Sequence, residues 1–247
     1  MSTLSELLPA GGGGSTVDFV ASGTLPNGKP VILKANGQVE VVGEASVSES
    51  IPAGSEAVFN TQRADHTFIA FDPNTAGKFI VVYRDEGNSN HGTAIAGTVS
   101  GTTLSFGSEV VFNSGVVEYT QIAFDPNTAG KFVITYMDEN NSNYGEAIVG
   151  TLSGTTLSFG TAVVFNSAYS LDIKIAFDPS TAGKFVVVCR DNANSNYGEA
   201  IAGAVSGTSI SFGSMVVFNT GSTNHISVAF DPSTAGKFVV AYRNMGN

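Results

Sequence analysis

The chain is a series of short apolar segments, many of them alternating, separated by turn residues, and the series repeats. The string Ala-Phe-Asp-Pro-(Asn/Ser)-Thr-Ala-Gly-Lys-Phe occurs four times, with its aspartates at Asp72, Asp125, Asp178 and Asp231, a step of 53 residues. Val-Phe-Asn keeps the same step at Asn60, Asn113, Asn166 and Asn219. A register without insertions implies units that stack in equivalent environments. No stretch of the repeats carries a helical period of apolar residues. One unit reads as four strands. Gln121–Phe124 alternates as a short strand a. Asp125–Gly130 is a turn in which Pro presets φ and Gly supplies a positive φ. Lys131–Tyr136, rich in β-branched and aromatic residues, is strand b. Asp138–Asn143 is an Asn-rich loop, Gly145–Leu152 is strand c, Ser153-Gly154 a tight hairpin, and Thr155–Phe165 strand d.

Four antiparallel strands in roughly 40–50 residues match a propeller blade. The expected fold is therefore all-β, a β-propeller of about four four-stranded blades. Complete blades cover 67–113, 120–166 and 173–219; strands a and b of a fourth follow at 226–230 and 237–243. Ser55–Asn60 supplies a strand d and Gln38–Ser48 a strand c at the front. The two chain ends would then close the fourth blade and remove its exposed edges. The alternative is an open or domain-swapped array that closes with another chain. Ahead of the repeat domain at 45–247, residues 1–16 read as a flexible N-terminal anchor or linker with one helical turn at Ser5–Leu8 and the four glycines Gly11–Gly14. Residues 17–44 read as a β-hairpin segment, with strands at Val17–Ser22, Pro30–Ala35 and Gln38–Val42 and a turn at Asn36-Gly37.

Composition narrows the function. Formal charge is −10, from 11 Lys+Arg against 21 Asp+Glu. Clustered cations against phosphate are lacking, which argues against sequence-independent nucleic-acid binding and against an anionic membrane surface as partners. The single cysteine, Cys189, excludes an intrachain disulfide and a multi-cysteine zinc site. It takes the slot of Tyr83, Tyr136 and Tyr242, as a packing substitution. Apolar runs such as Phe185–Cys189 are too short to span a bilayer, so no membrane insertion is expected. Met1–Gly14 has no basic or long apolar region of a signal peptide.

Strand parity places the b–c loops and d–a connections at one end of the units and the nearly invariant a–b turns and c–d hairpins at the other. The variable end is the candidate binding face. Its b–c loops carry Asn88, Asn90 and His91, then Asn143 and Tyr144, then Asn196 and Tyr197. Amides beside an aromatic ring suit a glycan, although Asn also serves αL turns. Arg84, Arg190 and Arg243 end strand b at equivalent positions, with Met137 in the fourth slot. They could ring an anion, or pair locally with Asp85 and Asp191. Tyr119 and His225 lie in the d–a connections. The histidines His66, His91 and His225 have unlike spacing, and the Asp72 series lacks further acids of a calcium loop. No metal, no cofactor and no catalytic residue is expected, and the chain is read as a non-enzyme.

The N-terminal run Leu4–Gly14 followed by Val17–Val31, together with Phe-Asp-Pro-Asn-Thr-Ala-Gly-Lys-Phe and Asp-Glu-Gly-Asn-Ser-Asn, resembles virion structural proteins of marine tailed phages, including tail-fibre-like proteins of cyanophages. The resemblance implies a phage virion protein, made in the host cytoplasm and carried on a tail or head. Leu4, Leu7 and Leu8 would be its virion anchor, and the propeller would adhere to a host glycan or dock on other virion proteins in many copies or as a homo-oligomer. The alternatives are a purely architectural decoration protein and a glycan-active enzyme.

Overall fold

The repeat register decides which residues pair. The computed structural model describes residues 20–21, 31–33, 38–41 and 54–246. These fall in two units, Met1–Pro52 and Ala53–Asn247. In the first, Gln38–Val41 lies between Val20–Ala21, parallel to it, and Val31–Leu33, antiparallel. The expected anchor residues Leu4, Leu7 and Leu8 lie outside the described residues.

The second unit is all-β and strongly antiparallel. Strands a, b and c of the first repeat are Ala64–Phe71, Lys78–Asp85 and His91–Ser100. The second repeat places b at Lys131–Asp138 and c at Tyr144–Ser153, and the third at Lys184–Asp191 and Tyr197–Ser206. The fourth repeat consists of Thr223–Phe230 and Phe238–Asn244. A phenylalanine ring on each strand b dictates the residue facing it on strand c. Gly97, Gly150 and Gly203 lie under Phe79, Phe132 and Phe185, where a Cβ would fall 2.2 Å from the ring.

Two of the d–a connections, Ser114–Tyr119 and Ser167–Asp172, are not loops, which corrects the sequence reading there, while Thr61–Arg63 and Thr220–Ser222 lie outside strands. Thr103–Phe124 is one strand of 22 residues. Its first part pairs with strand c of repeat one and its last part with strand b of repeat two. Val163–Phe177 does the same between repeats two and three. The connection stays extended because the preceding b–c loop feeds it hydrogen bonds: Val117 N–H donates to Asn90 O, Ser170 N–H to Asn143 O and Thr223 N–H to Asn196 O. Strand a of each repeat thus starts well before the short segment that alternation suggests. It carries a bulge at which His66, Tyr119, Asp172 and His225 take φ of 50°, 51°, 49° and 53°.

Repeats pack face to face. Ile80 and Val82 of repeat one share a core with Ile122, Phe124, Ile134 and Tyr136 of repeat two. Val133 and Met137 of repeat two join Ile173, Phe177 and Val187 of repeat three. Val186 and Val188 pack with Ile226, Val228 and Phe230. The Asp-Pro motif staples these faces. Asp125 Oδ1 accepts from Asn127 N–H at 2.9 Å, which is the expected turn cap. Its Oδ2 reaches the next repeat and accepts from Gly183 N–H at 2.9 Å. Asp72 bonds Gly130 N–H at 3.0 Å and Asp178 bonds Gly236 N–H at 2.9 Å in the same way.

The expected closure of a fourth blade by both chain ends is not seen among the described residues. Phe238–Asn244 pairs with Thr223–Phe230 alone, Gln38–Val41 pairs within its own three-stranded sheet, and Ser55–Asn60 is not a strand. Phe59 still fills the place its repeat predicts, edge-on to Tyr83 with centroids 5.2 Å apart, as Phe112 sits on Tyr136.

Candidate functional site

The chemistry concentrates at the end where b–c loops meet the long strands. The bulge residues there are the only column of non-glycine αL residues on strand a among the described residues, and such conformations cost about 1–3 kcal/mol unless their surroundings hold them. A bulge re-aims its side chain. At the junction of repeats two and three the Tyr119 ring lies 5.6 Å from the His66 ring and packs on the core, within reach of the charges of Asp172 and Arg190. Burial pushes the Tyr119 phenol above its ordinary pKa, the charge of Glu118 and then Tyr169 and Asp172 add to this, and Arg190 opposes it. Tyr169 is directly opposite Tyr144 across the strand pair, so the two side chains share one face. Backbone hydrogen bonds fix the main chain at both positions: Asn192 N–H donates to Tyr169 O at 2.9 Å, and Tyr144 N–H to Asn141 O at 3.0 Å. Tyr169 is 40 % exposed.

These groups keep their hydrogen-bonding capacity. Among the described residues, the hydroxyls of Tyr119, Tyr144 and Tyr169 and the carboxylate of Asp172 form no hydrogen bond with the chain, and Arg190 gives one guanidinium bond to Asn224, its Nε being buried without a partner. The exposed Tyr169 ring can stack on a sugar, with the half-buried Tyr144 and Tyr119 rings beside it and the Asp172 carboxylate and Arg190 guanidinium to bond its hydroxyls.

Elsewhere on the same end several polar groups are already paired. Arg84 is 16 % exposed and lies 3.0 Å from Asp65, 3.5 Å from Glu86 and 3.2 Å from Glu118. Three carboxylates neutralise it, so it cannot join an arginine ring around an anion, and its partners are not the local Asp85 that the sequence suggested. Arg190 bonds Asn224 rather than Asp191, and Arg243 is exposed opposite Asn224. Asn90, Asn143 and Asn196 take φ of 64°, 62° and 62°, so they serve the αL turn, and their carbonyls feed the next repeat. His91 and Tyr197 occupy the Tyr144 position in their own repeats, each half-buried. His225 is exposed in repeat four, and His66 Nε2 is 3.9 Å from Glu118. Asn88 lines a cleft of about 590 Å³ with Asn60, Asp85 and Glu109. Its equivalent one repeat later, about 600 Å³, holds Asn113, Asp138 and Asn141. There the amides are occupied: Asn113 donates to Asp138 at 2.8 Å and Asn141 to Glu146 at 2.7 Å. The third equivalent exchanges Tyr136 and Ala162 for Cys189 and Met215, and the methionine packs where the ring is lost.

Sequence reasoning thus brought Tyr119, Tyr144 and Arg190 together and missed Tyr169 and Asp172. Their signal was column variation inside an otherwise repeated unit: position 172 is His66, Tyr119 or His225 elsewhere, and position 169 is Arg63, Val116 or Ser222.

No protein-family model matches this chain, and no curated protein does. Among solved structures, the exo-β-1,3-galactanase of Phanerochaete chrysosporium with galactose is similar at 13 % identity, covering 79 % of this chain and 47 % of that one, with a TM-score of 0.52. A variant of the same galactanase with β-1,3-galactotriose matches at 14 % identity over 78 % of this chain and 52 % of that one, TM-score 0.50. Saccharomyces cerevisiae Sqt1 matches at 14 % identity and a TM-score of 0.49, over 71 % of this chain and 42 % of that one. This chain spans about half the length of the galactanase. The likeness shows a propeller-type all-β fold. It also corrects the expected role as a phage virion protein: the folds similar at a TM-score of 0.50 or more are those of a fungal galactanase.

Proposed function

We propose that this chain is a carbohydrate-binding β-repeat protein of propeller type, which holds a galactose-containing oligosaccharide on the rim formed by Tyr119, Tyr144, Tyr169, Asp172 and Arg190. The observation that carries the reading is the set of unspent hydroxyls and the free Asp172 carboxylate beside the exposed Tyr169 and its cross-strand partner Tyr144. Binding rather than cleavage fits the local chemistry. Glycoside hydrolysis needs two carboxyl groups facing each other across the scissile bond. Here Glu118, the other acid of the row, is held by Arg84 at 3.2 Å. The likeness to a galactanase fold supplies the ligand to try first, β-1,3-galactotriose.

Calorimetric titration of the full chain with that trisaccharide tests the reading. Saturable binding that falls at least tenfold in Tyr169→Ala, with an unchanged far-UV spectrum, is the expected result. Equal binding by the variant, or no binding by the parent to any galactose-containing oligosaccharide, overturns it. Released galactose in the same mixture would favour an enzyme instead.

A further inference from the structure

The interior of the repeat domain makes one interface three times, and its two outer faces carry the unmatched halves. On the leading face, Ile122 and Phe124 of repeat two are 3 % and 6 % exposed because repeat one covers them. Their equivalents in repeat one, Ile69 and Phe71, are 52 % and 56 % exposed. On the trailing face, Val133 and Val186 are 0 % and 2 % exposed, whereas the equivalent Val239 of repeat four is 71 % exposed. Ala241 is likewise exposed where Val188 is buried. The polar staple is divided in the same way. Asp72, Asp125 and Asp178 each accept from the glycine N–H of the following repeat. Among the described residues, Asp231 bonds within its own turn alone, to Ser233, and Gly77 N–H has no aspartate from a preceding repeat. Exposed apolar residues gathered on one face mark an interaction surface.

We infer that a second copy of this chain docks head to tail, seating the Ile69/Phe71 face of one copy on the Val239/Ala241 face of the other, with Asp231 of one accepting from Gly77 N–H of the other. The occupant follows from continuity. Both faces are halves of the contact that already joins repeats one to two, two to three and three to four, so a copy of the chain presents the one surface known to fit each. The contact is heterologous, since different patches meet, and it either closes a ring or runs on as a chain of molecules. It uses the ends of the array and not the tyrosine rim, so it stands independently of the saccharide reading.

Sedimentation of the full chain over a hundredfold concentration range tests it, with Phe71→Asp (leading face blocked) and Val239→Asp (trailing face blocked). Both positions are exposed, so circular dichroism should match the parent. The parent should associate as concentration rises, and each variant alone should stay monomeric. An equimolar mixture of the two variants should form a dimer and nothing larger, because one intact leading face and one intact trailing face remain. Asp231→Ala should weaken association about tenfold, the worth of one charge-assisted hydrogen bond. A parent that is monomeric at every concentration overturns the inference, as does a mixture that fails to dimerise.

Discussion

Replacing Asp125 by Ala should destabilise the repeat domain far more than the same change at Asp231, though the motif is identical. Asp125 is 1 % exposed. Its carboxylate accepts two backbone N–H bonds, from Asn127 at 2.9 Å and from Gly183 at 2.9 Å. Hydrogen bonds to a charged group are worth about 1.5–3 kcal/mol each, and a buried donor left without a partner costs about 1–3 kcal/mol. Asn127 can turn to water, whereas Gly183 N–H is buried between repeats. The expected loss is therefore about 3–5 kcal/mol. Asp231 keeps its own turn bonds to Ser233 and reaches no following repeat, so its loss should be small. Urea unfolding followed by circular dichroism measures both. Equal losses in the two variants, or a loss below about 1 kcal/mol for Asp125→Ala, would refute the staple as a source of repeat coupling.

Other substitutions test other links. Thr135 Oγ1 is buried without a hydrogen-bond partner, and the equivalent residues are Val82 and Val188; Thr135→Val should stabilise the domain by about 1 kcal/mol in the same unfolding assay. Gly150→Ala places a Cβ 2.2 Å from the Phe132 ring, so overpacking should cost about 1–3 kcal/mol or more. The bonds from Ser180 N–H, Gly236 N–H and the Thr181 hydroxyl hold the Asp178 carboxyl below its ordinary pKa of 3.8, against a smaller opposing push from burial. Its stabilisation is thus full above the unfolded value and is lost as pH falls through the lower folded one. Asp178→Asn should flatten the stability profile below about pH 4 and should leave its slope near neutrality unchanged.

How much of this was legible in the sequence follows from what each residue must do locally. The repeat register, the antiparallel order of strands b and c, and the turn at Asp125–Gly130 depend on neighbours in sequence, and they were readable. The second oxygen of Asp125 reaches a residue 58 positions away, and nothing in Asp-Pro-Asn-Thr distinguishes a staple from a plain turn cap. The connection Ser114–Tyr119 is polar enough to read as a loop. It is a strand because Asn90 O, in the preceding loop, supplies a ladder partner at Val117. Arg84 could be placed on the right end but not beside Asp65 and Glu118, which strand pairing and the next repeat deliver. Cys189 was correctly a packing residue. Burial above all, and then the neighbouring carboxylates of Glu199 and Asp191, push its thiol well above the ordinary range. The exchange of Thr93 for the glutamate of the other repeats is offset at Glu109, which takes the Tyr83 hydroxyl at 2.6 Å. That compensation was visible only as two unrelated departures from the repeat.

The measurement closest to the central claim is a nuclear magnetic resonance titration of the full chain, labelled in its tyrosine rings, with β-1,3-galactotriose. The rim account predicts that resonances of Tyr119, Tyr144 and Tyr169 shift together with one saturation curve, while those of Tyr83 and Tyr136, both 0 % exposed, stay still. Shifts confined to other tyrosines, or no shift at saturating trisaccharide, would contradict it.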